Sequence, residues 1–220
     1  MIPGRELCHA YVLHARAYKE KSRLLEIWTL EHGRFGAVGR GAVPLFQPCL
    51  VTWRGRGALK TLATCEQAGL PRELHGDALF AGFYLNELLV RLLPPEEPQP
   101  LLFAFYGEVL EGLHDPDRLE PLLRRFEKQL LAVIGYELDF RRDADGEPVL
   151  PDVRYDYRSR EGLVPVATGW PGTDLLAIAV DDYREPSIRR VAKHILRNAL
   201  GEHLGAHPLK SRELWLRSKS

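Results

Sequence analysis

Between positions 16 and 23 four cations, Arg16, Lys19, Lys21 and Arg23, surround Tyr18, and Arg34, Arg40, Arg54 and Arg56 follow among Trp28, Phe35 and Trp53. Cations track phosphates while aromatic faces stack on bases, so this mixture suits single-stranded nucleic acid. A plainer account stands beside it: basic residues at strand ends are commonly just solvated, and Trp28 and Trp53 can be core.

A second concentration of positive charge is GAHPLKSRELWLR at 205–217, with Lys210 and Arg212. It follows Arg189, Arg190, Lys193 and Arg197, of which 189, 193 and 197 repeat at helical spacing. Together these can form a second phosphate-contacting face. Alternatively Ser211 caps a last helix, Lys210 and Arg212 are solvated, and Leu209, Leu214 and Leu216 dock it; both readings can hold at once. Arg124 and Arg125, in LLRRFEKQLL, sit on a helix with an apolar opposite face. They either pair with neighbours such as Glu120 and Glu127, or rim an apolar-floored pocket that accepts an acidic, hydrophobic peptide end.

Catalytic constellations are weak. His203 and His207 are four apart, but Gly205 and Pro208 argue against a continuous helix and no third metal ligand is evident. Asp181 and Asp182 adjoin Tyr183 in an expected turn, where acidic pairs are usually solvated. The chain has no GxxxxGK[ST], GxGxxG after a strand, GxSxG or HExxH, which disfavours nucleotide hydrolysis and the common hydrolases. No catalytic residue, cofactor or metal is expected.

The balance of 30 basic and 30 acidic residues hides an uneven distribution. Positions 16–60 carry nine basic and three acidic residues and positions 186–220 eight and two, whereas positions 81–150 carry seven and fourteen. Such asymmetry suggests a located anion-binding surface. Cys8, Cys49 and Cys65 lack CxxC spacing and cannot pair evenly, which argues against a secreted disulfide scaffold. No apolar run is long enough to span a bilayer and MIPGRELCHA lacks a signal-peptide core, so a cytoplasmic protein without membrane insertion is expected.

The elements that must position these residues change character along the chain. Short strands are predicted over 7–14, 24–30, 35–41, 50–53 and 58–65, with turn glycines in HGR and RGRG, the content of a small Greek-key barrel such as an OB-fold. From Asp77, a plausible N-cap, the period becomes helical up to Pro94 and Pro95. Further helices are predicted over 101–113, 119–134, from 186, and over 209–216. The stretch 139–172 reads as a loop-rich insertion with a possible hairpin over 155–166. The expected class is α+β: an OB-fold domain over 1–76, then a helical domain over 77–220 carrying that insertion.

The segments AYVLHARAYKEKSRLLEIWTLEHGRFGAVGRGA, RGRGALKTLATCE, FYLNELLVRLL, LLRRFEKQLLAVIGYELDF and HPLKSRELWLR, in this order, resemble the RecO family over nearly the whole chain. The resemblance implies an N-terminal OB-fold and a helical C-terminal domain. It also implies a recombination mediator of the bacterial RecF repair pathway, nucleoid-associated during repair. Such a protein binds single- and double-stranded DNA, anneals complementary strands, works with RecR, and helps RecA replace the single-strand binding protein SSB, with a possible link to RecF. SSB's acidic, hydrophobic C-terminal tail is engaged at the helical domain: Arg124 matches a family position there, with Arg125 beside it, while the cations around Tyr18 and Arg34 match the DNA-binding side. The sequence departs from the family in two ways. It has no cysteine in 139–172, where many members hold structural zinc, and the basic loop usual after Gly41 is abbreviated, removing phosphate contacts. A protein-interaction adaptor with little direct DNA binding is therefore the alternative.

Overall fold

A computed structural model describes residues 6–69 and 73–219, so the expectation about a leader, which rests on the first ten residues, falls partly outside it. The chain forms two compact units, Met1–His114 with Pro208–Ser220, and Asp115–His207.

In the first unit β1 (Cys8–Tyr18), β2 (Ser22–Thr29), β3 (Gly33–Arg40), β4 (Pro48–Arg54) and β5 (Leu59–Gln67) close a barrel in the order β1-β2-β3-β5-β4. Only β3 and β5 pair in parallel, which is the OB arrangement expected. Strand alternation sends Ala10, Val12, Leu25, Ile27, Phe35, Ala37, Val51 and Trp53 into the barrel, where the Phe35 and Trp53 rings meet at 4.7 Å. Cys8 and Cys49 are buried and Cys65 half-buried, all as free thiols. Cys65 is held below the ordinary thiol value by its hydrogen bond with Cys49, and that bond together with burial pushes Cys49 up. A thiol-reactive dye at mildly alkaline pH is therefore expected to modify Cys65 well before Cys8 and Cys49. Equal rates at all three positions, read by peptide mass, would contradict this.

On the outer face of β1 and β2, α1 (Gly76–Leu92) packs through Asn86 and α2 (Pro100–Gly112) through Phe103 and Tyr106. Tyr11 and Trp28, opposed across β1 and β2, pack against Phe103 and Tyr106 at ring separations of 4.8–5.7 Å. The β1–β2 register slips between Val12 and His14, leaving Leu13 as the extra residue. Asn86 of α1 donates to the Leu13 carbonyl at 2.8 Å and accepts from the Tyr106 hydroxyl, so the bulge is satisfied by a buried polar thread.

The second unit holds α3 (Pro116–Val133), a sheet of β6 (Arg154–Arg158), β7 (Gly162–Val166) and β8 (Trp170–Pro171), α4 (Gly172–Ala179) and α5 (Pro186–Leu204). The expected hairpin is β6–β7. Phe140, Val149, Tyr155 and Leu163 are buried, and the Tyr155 hydroxyl accepts from the Leu150 amide, so packing and hydrogen bonds order the insertion. The eight-residue α4 has no signal in the periodicity, because two turns are too short to register a helical repeat.

The last helix, α6 (Lys210–Ser218), belongs to the first unit and runs antiparallel to α1. Two sequence expectations are corrected here. Asp77 does not cap α1, whose N-cap is His75. Its carboxylate instead accepts from Trp215 Nε1 at 3.2 Å and pairs with Lys219 at 3.0 Å, and these bonds hold it below the usual carboxylate value. Ser211 does not cap α6 either. The Lys210 amide and the Ser211 amide and hydroxyl all donate to Glu87 of α1, so a carboxylate from another helix satisfies the start of α6. Burial raises Glu87, but the bonds from Ser211 and Lys210 outweigh it and leave the group lowered.

Candidate nucleic-acid interface

Residues directly opposed on neighbouring strands project to the same side of a sheet. Arg16 opposes Leu24, Leu24 opposes Val38, Val38 opposes Thr61, and Thr61 opposes Arg54. The register thus lays one outward row across all five strands, with an exposed arginine at each end. At ~4.8 Å per strand the row spans about 19 Å along the curved surface. A second row, Tyr18–Ser22–Arg40, runs beside it. Arg16, Tyr18, Arg40, Arg54 and Thr61 of these rows are exposed, unlike Tyr11 and Trp28 beneath α2.

The barrel aromatics separate cleanly. Trp28, Phe35 and Trp53 are core at 0%, 3% and 2% exposure, while Tyr18 is 38% exposed with Lys19 Nζ 5.3 Å from its ring centre. Among the described barrel aromatics Tyr18 alone offers a face for stacking. Leu24 and Val38 are half-buried and Leu59 is exposed, adding apolar surface between the cations. The outer threonines Thr52 and Thr64 share a 2.8 Å hydrogen bond on the same side.

Arg16, Lys19, Lys21, Arg40, Arg54 and Arg56 are all exposed. Arg23 is exposed too, but it opposes Ala17 and lies on the inward-facing series, at the rim two residues from buried Leu25. Arg34 is placed differently. Its Nη1 pairs with Glu26 at 2.7 Å, while Nε and Nη2 donate to the Leu93 carbonyl at 3.3 and 2.9 Å, tying β3 to the end of α1. The loop beyond follows the same strand edge, for the Glu96 amide donates to the Arg34 carbonyl and the Glu96 carboxylate pairs with Lys60.

The other predicted cations fall in both units. Lys210 and Arg212 are exposed on α6, in the first. Arg189, Lys193 and Arg197 are on α5, in the second, where Arg189 donates to the carbonyls of Tyr183 and Arg184 and faces Glu120 at 3.7 Å, Lys193 lies 3.3 Å from Glu120, and Arg197 is exposed. Much of the α5 charge is engaged within the unit.

Arg124 and Arg125 differ although adjacent. Arg124 is 4% exposed and pairs with buried Glu127 at 2.8 Å, while its Nε has no hydrogen-bond partner. Arg125 is exposed and lies 3.4 Å from Asp181, which also holds Lys128 at 2.7 Å. Asp181 is exposed in the turn, as its sequence context suggests, but ion-paired; Asp182 is half-buried and paired with exposed Arg184, whose hydrogen bonds push it down to about 2. Burial, followed by the charge of Asp181, pushes the Tyr183 phenol well up. The row partners Leu24, Val38 and Thr61, like Lys128, carried no sequence signal beyond strand alternation or helical spacing.

The family model for "Recombination protein O N terminal" matches residues 5–70 and that for "Recombination protein O C terminal" matches residues 74–213. The chain is 46% identical to the "DNA repair protein RecO" of Pseudomonas aeruginosa (strain UCBPP-PA14) over 220 residues, 95% of this chain and 94% of that protein. It is 44% identical to the protein of that name from Methylococcus capsulatus (97% and 94% covered) and 41% identical to that from Haemophilus influenzae (strain PittGG; 96% and 95% covered). Two family models end to end, relatives at this identity over nearly full length, and the closed barrel with its open cationic face agree that the chain belongs to the RecO family of DNA repair proteins.

Proposed function

We propose that this protein is a recombination mediator that binds single- and double-stranded DNA on the open barrel face, anneals complementary strands and, with RecR, helps RecA load on SSB-coated DNA. The observation that carries the reading is the outward row from Arg16 to Arg54 beside exposed Tyr18 and Arg40. Annealing is opposed by phosphate repulsion, and cations that neutralise phosphates on two strands lower it. No bond is made or broken. Lys210 and Arg212 on α6, and Arg197 on α5, are further phosphate contacts in this reading.

The SSB tail, acidic with an apolar end, suits the cations of the second unit, Arg124 and Arg125. Arg124 is a poor probe of that role, since replacing it removes the cation facing buried Glu127. Arg125→Ala, at an exposed position, is the cleaner test.

Two complementary labelled oligonucleotides, each coated with SSB, are expected to anneal faster in the presence of this protein, as read by energy transfer. Tail-less SSB is expected to abolish the gain on coated strands but not on naked ones. The short segment after Gly41 and the internal engagement of Arg34, Arg189 and Lys193 favour a second reading, an adaptor that binds SSB or RecR with little direct DNA contact. No acceleration on naked or coated strands, with tail binding intact, would select it.

A further inference from the structure

Asp181 follows α4 in the left-handed region, with φ of 58°, and its carboxylate is turned onto the cations of α3. Oδ1 lies 2.7 Å from Lys128 Nζ and accepts from the Tyr183 hydroxyl at 3.3 Å, while Oδ2 lies 3.4 Å from Arg125 Nε. Lys128 also donates to the Ile178 carbonyl at 2.7 Å, so its ammonium is fixed in place. Beside Lys128 opens a depression of about 330 Å³ lined by Leu138, Phe140 and Ala179 and, at its wall, by Arg141 together with Glu137 and Asp139. A carboxylate on two cations next to a part-apolar hollow is the chemistry an acidic peptide with an apolar end would use.

We propose that Asp181 is an intramolecular stand-in for a ligand carboxylate: it occupies Lys128 and Arg125 in the free protein, and an acidic, apolar-ended peptide must displace it. The inference rests on the reading of this region as a peptide site and adds its regulation. Asp181 sets a threshold, because a ligand gains only the difference between its own contact with the two cations and the one Asp181 already makes. A single carboxylate displaces it poorly. A run of acidic residues does so more readily, since neighbouring carboxylates meet Arg125 and Lys128 together, while Glu137 and Asp139 at the wall of the hollow keep acidic residues out of it and leave it to the apolar end.

The test is fluorescence anisotropy of a labelled Asp-Asp-Asp-Asp-Leu-Phe peptide with the full chain and with Asp181→Asn, Lys128→Gln and Arg125→Ala. Asparagine keeps the size of Asp181 and tolerates its positive φ, so the fold is retained, checked by circular dichroism. Asp181→Asn is expected to tighten binding by roughly fivefold, the scale of one part-exposed ion pair, and to steepen its salt dependence. Lys128→Gln and Arg125→Ala are expected to weaken it. If the natural protein binds and Arg125→Ala weakens binding, but Asp181→Asn leaves it unchanged or weaker, the masking role is wrong and the peptide site stands. Should neither the natural protein nor Asp181→Asn bind, the peptide-site reading itself fails and the masking role falls with it.

Discussion

Replacing Arg16, Arg40 and Arg54 together by alanine is expected to weaken single-stranded DNA binding about a hundredfold at 0.1 M salt. On single strands each phosphate contact contributes about 0.7 to the slope of log K against log salt, so each is worth about 0.7 decades at 0.1 M and three give about two decades. The slope itself should become shallower by about 2, measured by anisotropy between about 50 and 200 mM salt. All three side chains are exposed, so the fold should lose within about 0.5 kcal/mol per site. Tyr18→Ala separates the two parts of the interface: losing a stacking face costs about 1–3 kcal/mol per base and should leave the salt slope alone. An unchanged slope in the triple variant would remove the barrel face from the DNA-binding surface and return the question to α5 and α6.

Arg34 is expected to behave oppositely, although it matches the family's DNA-binding side in sequence. Its guanidinium is 15% exposed and committed to Glu26 and to the Leu93 carbonyl at the end of α1. Arg34→Ala removes charge-assisted bonds to a helix-terminal carbonyl and leaves Glu26 without its cation. Thermal or urea unfolding should show a loss of about 2–3 kcal/mol, with the folded fraction binding DNA with a nearly unchanged salt slope. Arg34→Glu should be worse, since it sets a carboxylate beside Glu26 and the carbonyl. A variant that keeps full stability but loses a phosphate's share of the slope would show that Arg34 leaves its internal partners to reach DNA.

The contrast between Arg34 and Arg16 marks how far a sequence reading reaches. Both are arginines on β-strands near aromatic residues, and nothing local separates them. Strand alternation told which residues of β1 to β5 share a side, and turn glycines told where the strands end, so the barrel was legible. Which outward positions α1 and α2 would cover was not, because that depends on helices that pack from later in the chain. Trp28 and Tyr18 illustrate it: both lie on outward series, and only the seating of Phe103 and Tyr106 over the first leaves the second open. Asp77 and Ser211 looked like caps because their types suit the role locally, yet long-range partners, Lys219 and Trp215 for one and Glu87 for the other, won them.

Periodicity and residue type therefore carry the class, the barrel followed by helices, and the concentration of positive charge near both ends of the chain; these follow from interactions between residues close in sequence. Ordered motifs over nearly the full length carry the family. The tertiary structure alone decides which cations are available. The row from Arg16 to Arg54 joins residues 38 positions apart through strand register, and the grip of Asp181 on Arg125 and Lys128 joins a turn to a helix more than fifty positions earlier. Charge is a property of the residue, but whether it faces solvent or a carboxylate is set by backbone pairing and packing across the chain.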